Sequence, residues 1–430
     1  ASDGRGRPGR DADIVLHGSR LDHDNYVELE LRRDDQWDAV DADTRFVATL
    51  ALGNPIFHYD GEFDARLAVR NLYIEENDLG LEGLGFWVGS RMLRGDDIYL
   101  LDFWPLDDLN TLGAGLGYAA PTHTKVSLHM GVAQPHNPFY QQEAERPAPL
   151  NQFGAATIDL LDRQRWTGSL RAEQQIRFDA VAGLKLVLYG ELQQLPSGQR
   201  EASQPRIYED LPHDDGWVIG GQFGAFSGER DTHVNLFVRY ARGMAAYGAF
   251  AEPQGLAPDK TASGAQELRV AAGGNVELGP ATVMLGAYFR SFRNATDALD
   301  FEDVDEGIVI VRPHVFFLDW LGLALEGSVQ AQQRGVLADL GADVDSLASV
   351  DPQPLIARVG RVGVIPFVTP AGRGSYSRPM FWFIYSAAFR DEGARALYPQ
   401  DDVFSSREIE HFLGVGAEWW FGSTSYGDAP

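Results

Sequence analysis

Charged and aromatic side chains are concentrated in one stretch of the sequence, residues 86–118 (FWVGSRMLRGDDIYLLDFWPLDDLNTLGAGLGY). Its first charged residues are Arg91, Arg94, Asp96, Asp97 and Asp102. Charges that leave water must be paired with opposite charges or with hydrogen-bonding groups. We therefore interpret this stretch as a loop that folds into a polar lumen and packs against the lumen wall.

Three carboxylates of this stretch could also supply the acid and the base of a glycoside hydrolase. These residues are Asp96, Asp97 and Asp102, and they lie within one local loop among arginines. The alternating segments elsewhere in the chain offer no second conspicuous acid. A hydrolase is therefore the less favoured alternative, and we predict that the protein is not an enzyme.

Length, composition and charge exclude several classes of protein. No run in the 430 residues approaches the roughly 18 apolar residues that a membrane-spanning helix needs. Cysteine is absent, which excludes disulfides, thiolate metal sites and cysteine nucleophiles. A net charge of -26 argues against binding to nucleic acid, because such proteins need basic faces. The histidines are dispersed and the acidic segments lack regular ligand spacing, so we predict no metal and no cofactor.

The elements that would position the loop are segments of about ten residues in which apolar and polar residues alternate. In residues 184–193, for example, leucines alternate with Lys185, Tyr189, Glu191 and Gln193. Such alternation predicts strands with one apolar and one polar face. Because the apolar faces are almost pure and the opposite faces carry Arg, Glu, Lys, Gln and Tyr, the pattern favours an outer-membrane barrel over a soluble β-sandwich.

The last of these segments, residues 410–421 (EHFLGVGAEWWF), ends on aromatic residues. Leu413 and Trp419 share its apolar face, whereas Glu418 and Trp420 are predicted to face the lumen. For the whole chain we predict a flexible segment at residues 1–11, a transmembrane β-barrel at residues 12–421 and a C-terminal tail at residues 422–430.

Motifs in the same order along the chain resemble the maltoporin (LamB-type) carbohydrate porins of bacterial outer membranes. FWVGSR, DDIYLLDFW and LGAGL resemble the inward-folded third loop of that family, and residues 24–37 (DNYVELELRRDDQW) resemble its second strand. The series continues with DGW at 215–217, HVNLFVRYARGM at 233–244, VRPHVFF at 311–317, YSRP at 376–379 and AEWWF at 417–421.

This resemblance implies an all-β fold, a transmembrane antiparallel β-barrel of about 18 strands with the third loop constricting the pore. It implies a homotrimer in contact with outer-membrane lipid of a bacterial cell. The implied activity is facilitated diffusion of maltodextrin-like oligosaccharides along an aromatic path flanked by charged residues.

The resemblance also implies which residues contact the sugar. The family's aromatic slide corresponds to Tyr26, Tyr376 and Trp420, and Phe57 or Tyr59 of the second loop would reach into a neighbouring subunit. Its polar track and its constriction correspond to Glu28, Arg70, Arg94, Asp97, Asp102 and Trp104.

The chain departs from the family pattern in four places. Arg94 replaces an arginine of the family that aligns with Gly95, and Trp104 stands where the family usually has tyrosine. One slide position falls near His233, and residues 17–20 replace the first slide aromatic in the opening strand. These departures concern the preferred sugar more than the porin assignment.

Other interpretations of the same residues stay open. Tyr26 and Tyr376 could be interfacial aromatic residues, and Trp420 could pack against a loop. Arg70, Arg94, Asp97 and Asp102 could form a salt-bridge network that fixes the third loop to the wall. The channel could also serve ions, sucrose-like disaccharides, acidic sugars or small hydrophilic solutes in general.

Overall fold

The computed structural model describes residues 13–22, 25–53, 66–137, 139–147, 154–201, 207–227, 232–248, 251–253, 256–296, 303–335, 354–399 and 401–420. Most of these residues form strands. The strands are β1 (Tyr26–Trp37), β2 (Ala42–Gly53), β3 (Arg66–Asn77), β4 (Leu84–Arg94), β5 (Asp108–Ala120), β6 (Thr124–Ala133), β7 (Gln141–Pro147), β8 (Ala155–Asp162), β9 (Arg165–Arg177), β10 (Gly183–Leu195), β11 (Gly198–Glu201), β12 (Tyr208–Leu211), β13 (Asp214–Ser227), β14 (Thr232–Gly243), β15 (Gln266–Glu277), β16 (Ala281–Arg293), β17 (Val304–Leu318), β18 (Leu321–Arg334), β19 (Leu355–Val368), β20 (Met380–Arg390) and β21 (Ile409–Glu418).

One antiparallel sheet of seventeen strands dominates the described residues. Each of its strands pairs with the next strand of the sheet along the chain, from β1 to β21. β7 with β8 and β11 with β12 form two separate pairs. Two helices of one turn, α1 (Glu392–Arg395) and α2 (Val403–Ser406), precede β21. This up-and-down order confirms the predicted antiparallel barrel fold, with a strand number close to the expected one.

The two faces of the sheet differ as the alternation predicts. On β10, Leu188 and Leu192 are about 70% exposed (72% and 68%), whereas Lys185 and Glu191 on the opposite face are buried. Exposed apolar residues on one face and covered polar residues on the other are the pattern of a barrel with a polar interior. No helix in the described part of the chain is long and apolar enough to cross a membrane.

The connection between β4 and β5, residues 95–107, turns back against the inner face of the sheet. It contains a single 3-10 turn at Tyr99–Leu101 and a backbone bridge between Ile98 and Phe103. Ile98, Leu100, Leu101, Phe103 and Leu106 are buried. The predicted inward-folded loop is therefore present, and we call it the inner loop.

Residues 13–22 contain one 3-10 turn, Arg20–Asp22, and no strand. The expectation that His17, Gly18, Ser19 and Arg20 belong to an opening strand is therefore wrong. The physical reason is that the backbone amides of this segment hydrogen-bond to side chains of the inner wall instead of to a neighbouring strand. The predicted segments 1–11 and 422–430 lie outside the described residues, and the domain bounds stay predictions.

Candidate functional site

Apolar side chains of the inner loop pack where the wall carries glycine. A Cβ atom on Gly286 of β16 would lie 2.8 Å from Cγ2 of Ile98, and one on Gly273 of β15 would lie 3.0 Å from its Cγ1. Such distances are shorter than ordinary van der Waals contact. The absence of side chains at these two positions thus allows the loop to lie directly on the backbone of β15 and β16.

Charged groups fix the ends of the inner loop to the opposite part of the wall. Asp96 lies 2.9 Å from Nζ of Lys185 on β10 and accepts a hydrogen bond from Gln222 on β13. Asp107 accepts a 2.9 Å hydrogen bond from the backbone amide of Gly95 and lies 3.4 Å from Arg171 of β9. The loop is therefore anchored by a salt-bridge network that includes Asp96 and Asp107, and a structural role for Asp97 and Asp102 in it stays a prediction.

Gly286→Val is expected to destabilise the protein by about 1–3 kcal/mol, because the added methyl groups overpack the contact with Ile98. The loop would be displaced toward the pore axis, so the ionic conductance should fall as well. Urea unfolding of the detergent-refolded protein and single-channel current measure the two effects. Gly327→Val is the matched control, since no atom lies within 4 Å of a Cβ at Gly327. Equal behaviour of the two variants would contradict this packing contact.

Two of the predicted slide residues, Tyr376 and Trp420, meet around Tyr99 of the inner loop. The ring centroid of Tyr99 lies 5.5 Å from that of Tyr376 and 6.0 Å from that of Trp420, both in edge-to-face geometry. His233 stacks on Tyr376 with a centroid distance of 6.2 Å. Tyr376 and Trp420 are half-buried, which leaves part of each ring open to a solute. We call Tyr99, Tyr376 and Trp420 the aromatic cluster.

Glu418 joins two arginines and a tyrosine beside the aromatic cluster. Arg20 donates to its Oε1 over 2.8 Å, and Arg378 and the hydroxyl of Tyr99 donate to its Oε2 over 2.9 Å and 2.6 Å. The guanidinium of Arg378 also lies 4.0 Å from the ring centroid of Trp420. Hydrogen bonds between charged groups are short and strong. They hold Tyr99 and Trp420 in a fixed relation to each other.

Asp97 and Asp102, both predicted to contact sugar, lie at the two ends of the 3-10 turn of the inner loop. Burial raises the pKa of Asp97 to about 6, although the positive charge of Arg20 opposes this rise. Asp102 is exposed and has a left-handed backbone conformation with φ of 48°. The two carboxylates therefore differ, since burial raises the pKa of Asp97 whereas Asp102 is exposed.

A second polar group joins β1 and β3. Arg70 donates hydrogen bonds to the hydroxyl of Tyr26 and to the carboxylate of Glu28, and one further nitrogen contacts the sulfur of Met92 at 3.1 Å. The guanidinium lies 5.5 Å from the ring centroid of Tyr26. Tyr26 is 52% exposed, so its ring remains accessible.

Arg94 and Trp104 form a third contact at the ends of the inner loop. The guanidinium of Arg94 lies 3.8 Å from the ring centroid of Trp104 and donates a 2.5 Å hydrogen bond to Asp108. Arginine over an indole face is a favourable cation–π geometry. Arg94 thus holds the ring of Trp104, which is only half-buried.

Seven of the nine predicted site residues fall into these three groups, and the other two, Asp97 and Asp102, flank the 3-10 turn of the inner loop. Their contact with sugar stays a prediction. Sequence reasoning missed Arg20, Tyr99 and Arg378 as parts of the site. Arg378 lies within the YSRP motif, so the motif could have indicated that it belongs to the site. The role of Arg20 depends on the path of residues 13–22 through the fold, and no periodic pattern in the sequence predicts that path. Phe57 and Tyr59 lie outside the described residues.

Comparison with protein-family models gives a match over most of the chain. A family model described as LamB porin matches residues 10–421 of the chain. None of the curated proteins matches the chain. The matched segment includes every strand of the sheet and all three groups of the candidate site.

Proposed function

This chain belongs to the LamB porin family of sugar channels in the bacterial outer membrane, and from that premise we propose that it carries maltodextrin-like oligosaccharides by facilitated diffusion. The observation that supports this proposal is the aromatic cluster with Arg20, Arg378 and Glu418 beside it. It combines ring faces and charged hydrogen-bonding groups in one place.

The chemistry of a glucose unit fits this combination. A glucose ring has an apolar face of C–H groups and a rim of hydroxyl groups. Aromatic rings offer surface to the apolar face, and charged side chains exchange hydrogen bonds with the rim, so that the sugar loses its hydration at low cost. Transport requires several such sites that each bind weakly, because one tight site would retain the sugar.

The Tyr26–Glu28–Arg70 group supplies a second site of the same chemical kind. It also combines an accessible ring with an ion pair, and its residues belong to β1 and β3, whereas the aromatic cluster draws on the inner loop and on the residues that flank β20 and β21. We propose that a sugar chain contacts both groups during its passage. Contact with both groups would let a longer chain gain more contact than a single glucose unit.

The test of this proposal is single-channel current in a planar bilayer, titrated with maltodextrins of increasing length. Concentration-dependent block that tightens with chain length would support the aromatic path and the choice of sugar together. An open channel that no glucan blocks would reject maltodextrins.

Three arginines of the inner wall favour a second candidate, a channel for anions or acidic sugars. Arg239 of β14, Arg269 of β15 and Arg290 of β16 lie within 2.6–2.8 Å of the single carboxylate of Glu267. This part of the wall carries an excess of positive charge, although Glu306 lies 3.4 Å from Arg290. Block by acidic sugars that exceeds block by maltodextrins would support this candidate instead.

We further propose that the protein assembles as a homotrimer, in keeping with its family. Native mass spectrometry of the detergent-solubilised protein tests this directly. A monomeric mass under conditions that keep the barrel folded would reject it.

Trp104→Ala is expected to raise the open-channel conductance by roughly a third, because we propose that the half-buried indole narrows the constriction formed by the inner loop. Loss of the indole also frees Arg94, whose guanidinium now lies against the ring. Trp104→Tyr should give an intermediate value. Trp320→Ala is the matched control, since Trp320 is exposed in the turn between β17 and β18. A conductance rise of equal size in the control would contradict the position of Trp104.

A further inference from the structure

Residues 13–22 run along the inner faces of β16, β17 and β18. The backbone amides of Ile14, Leu16 and His17 donate to Gln330, Glu306 and Tyr288 over 3.0 Å, 3.2 Å and 3.0 Å. The three acceptor residues are buried, whereas Val329, Val309 and Phe289, each one or three positions away along the same strand, are exposed on the outer face. Since adjacent residues of a strand point to opposite faces, the segment lies inside the barrel. We call residues 13–22 the luminal strap.

The wall under the luminal strap is complementary to it. Leu21 is buried in an apolar cluster that the inner wall provides, made of Phe316, Ala324, Ile365, Phe367, Met380 and Ile384. An uncovered apolar patch of this kind would be unfavourable in a water-filled lumen. Ser19 is fully buried and donates a 2.6 Å hydrogen bond to Glu326 of β18. The wall thus supplies both apolar and polar partners at the positions where the strap needs them.

The other side of the luminal strap contacts the inner loop. The ring of His17 stacks on Phe103 with a centroid distance of 3.9 Å and an interplanar angle of 19°. The guanidinium of Arg20 lies 4.4 Å from the ring centroid of Tyr99. The strap therefore fills the space between the inner loop and the wall of β16–β19. On β1, by contrast, the inner side chains of Tyr26 and Glu28 remain exposed.

We propose that the luminal strap is a second constriction element, which acts with the inner loop to set the largest solute that the channel admits. It confines solutes to the side of the lumen lined by β1, which suits a single unbranched oligosaccharide chain. Arg20, near the end of the strap, has a side chain that is 26% exposed and donates hydrogen bonds to Glu418 and to the backbone of Tyr99. This inference deepens the proposed function and rests on it for the choice of solute.

Two deletions compare the channel with and without the strap. Removal of residues 1–22 is expected to raise the single-channel conductance by about twofold relative to removal of residues 1–12, which keeps the strap. The shorter deletion is the matched control for loss of the preceding residues. The longer deletion should also admit branched or larger sugars, measured by uptake into liposomes. Equal conductance of the two folded variants would overturn the proposal.

Cysteine labelling tests the same point in a chain of full length, in case the longer deletion fails to fold. The chain has no cysteine, so Arg20→Cys introduces a single thiol. A positively charged methanethiosulfonate added to the open channel should change the current through Arg20→Cys irreversibly. Thr122→Cys, exposed in the turn between β5 and β6, is the control whose current should stay constant. Labelling of Arg20→Cys, verified by mass, without any change in current would overturn the proposal.

The conductance and labelling measurements separate the strap from the choice of sugar, since they record ion current without any sugar present. A channel whose current responds to the reagent at Arg20→Cys but is not blocked by maltodextrins would keep the strap and reject the proposed solute. A channel that maltodextrins block, but whose current does not change when Arg20→Cys is labelled, would keep the proposed solute and reject the strap as a constriction.

Discussion

Trp420→Ala is expected to weaken the block of ion current by maltodextrins about tenfold, which corresponds to about 1.4 kcal/mol of binding free energy. The indole is half-buried between Tyr99 and the guanidinium of Arg378 and presents its remaining surface to the lumen. Its removal takes away one stacking surface for a glucose ring and loosens the two side chains that contact it. The dissociation constant for block, measured from current fluctuations over a range of sugar concentrations, gives this effect.

Trp419→Ala is a closely matched control, because the neighbouring tryptophan lies on the opposite face of the chain and is 64% exposed. It removes the same side chain from the outer surface, so the block by sugar should remain near the wild-type value. Open-channel conductance should change little in either variant. If both variants weaken the block equally, the effect of Trp420 comes from altered stability of the last strand and not from contact with sugar.

The strands were predictable because each alternates between an inner and an outer environment. Leu413 of the last strand and Trp419 just after it are exposed, while Glu418 contacts Arg20 and Arg378, as the two faces of residues 410–421 predict. This signal is local, since a period of two residues follows from strand geometry alone. The bends and connections carry no such period, so their course depends on packing.

The inner loop was predictable in kind but not in its contacts. Its mixture of arginine, aspartate and aromatic residues indicated a loop against a polar wall. The sequence did not indicate that Asp96 reaches Lys185 or that Asp107 reaches Arg171, since these partners lie more than sixty residues away along the chain. Their pairing depends on the register of β9 and β10 against the loop. The sequence also gave no sign that the glycine at position 286 allows Ile98 to approach the backbone of β16.

The luminal strap was the least predictable part of the site. Its apolar and polar residues do not alternate regularly, because it is not a strand of the sheet. Its partners lie on several neighbouring strands of the wall. Ile14 meets Gln330 and Ser19 meets Glu326, more than three hundred residues away in each case. The prediction of an opening strand rested on resemblance to the family. A resemblance indicates the path that the chain usually takes in the family, and it does not indicate where one member differs.

Glu418→Gln is expected to destabilise the folded protein by about 3–5 kcal/mol, because it leaves buried positive charge without its partner. The side chain of Arg378 is 2% exposed and that of Glu418 is 12% exposed, so water compensates little of the lost charge. Arg20 would be left beside Arg378 with no carboxylate between them. The channel should therefore become more selective for anions, and block by sugar should weaken as Tyr99 loses its charged acceptor.

Three measurements test the effects of Glu418→Gln: urea unfolding of the detergent-refolded protein for stability, the reversal potential in a salt gradient for ion selectivity, and block by maltodextrins for sugar binding. Glu392→Gln removes the same charge from an exposed position in α1 and should leave all three nearly unchanged. In the double variant Arg20→Gln with Glu418→Gln, the reversal potential should return toward the wild-type value, because one positive charge is removed with the negative one. If Glu418→Gln shifts neither stability nor reversal potential, the carboxylate doesn't hold the two arginines, and the aromatic cluster must be positioned by the packing of Tyr99 and Trp420 alone.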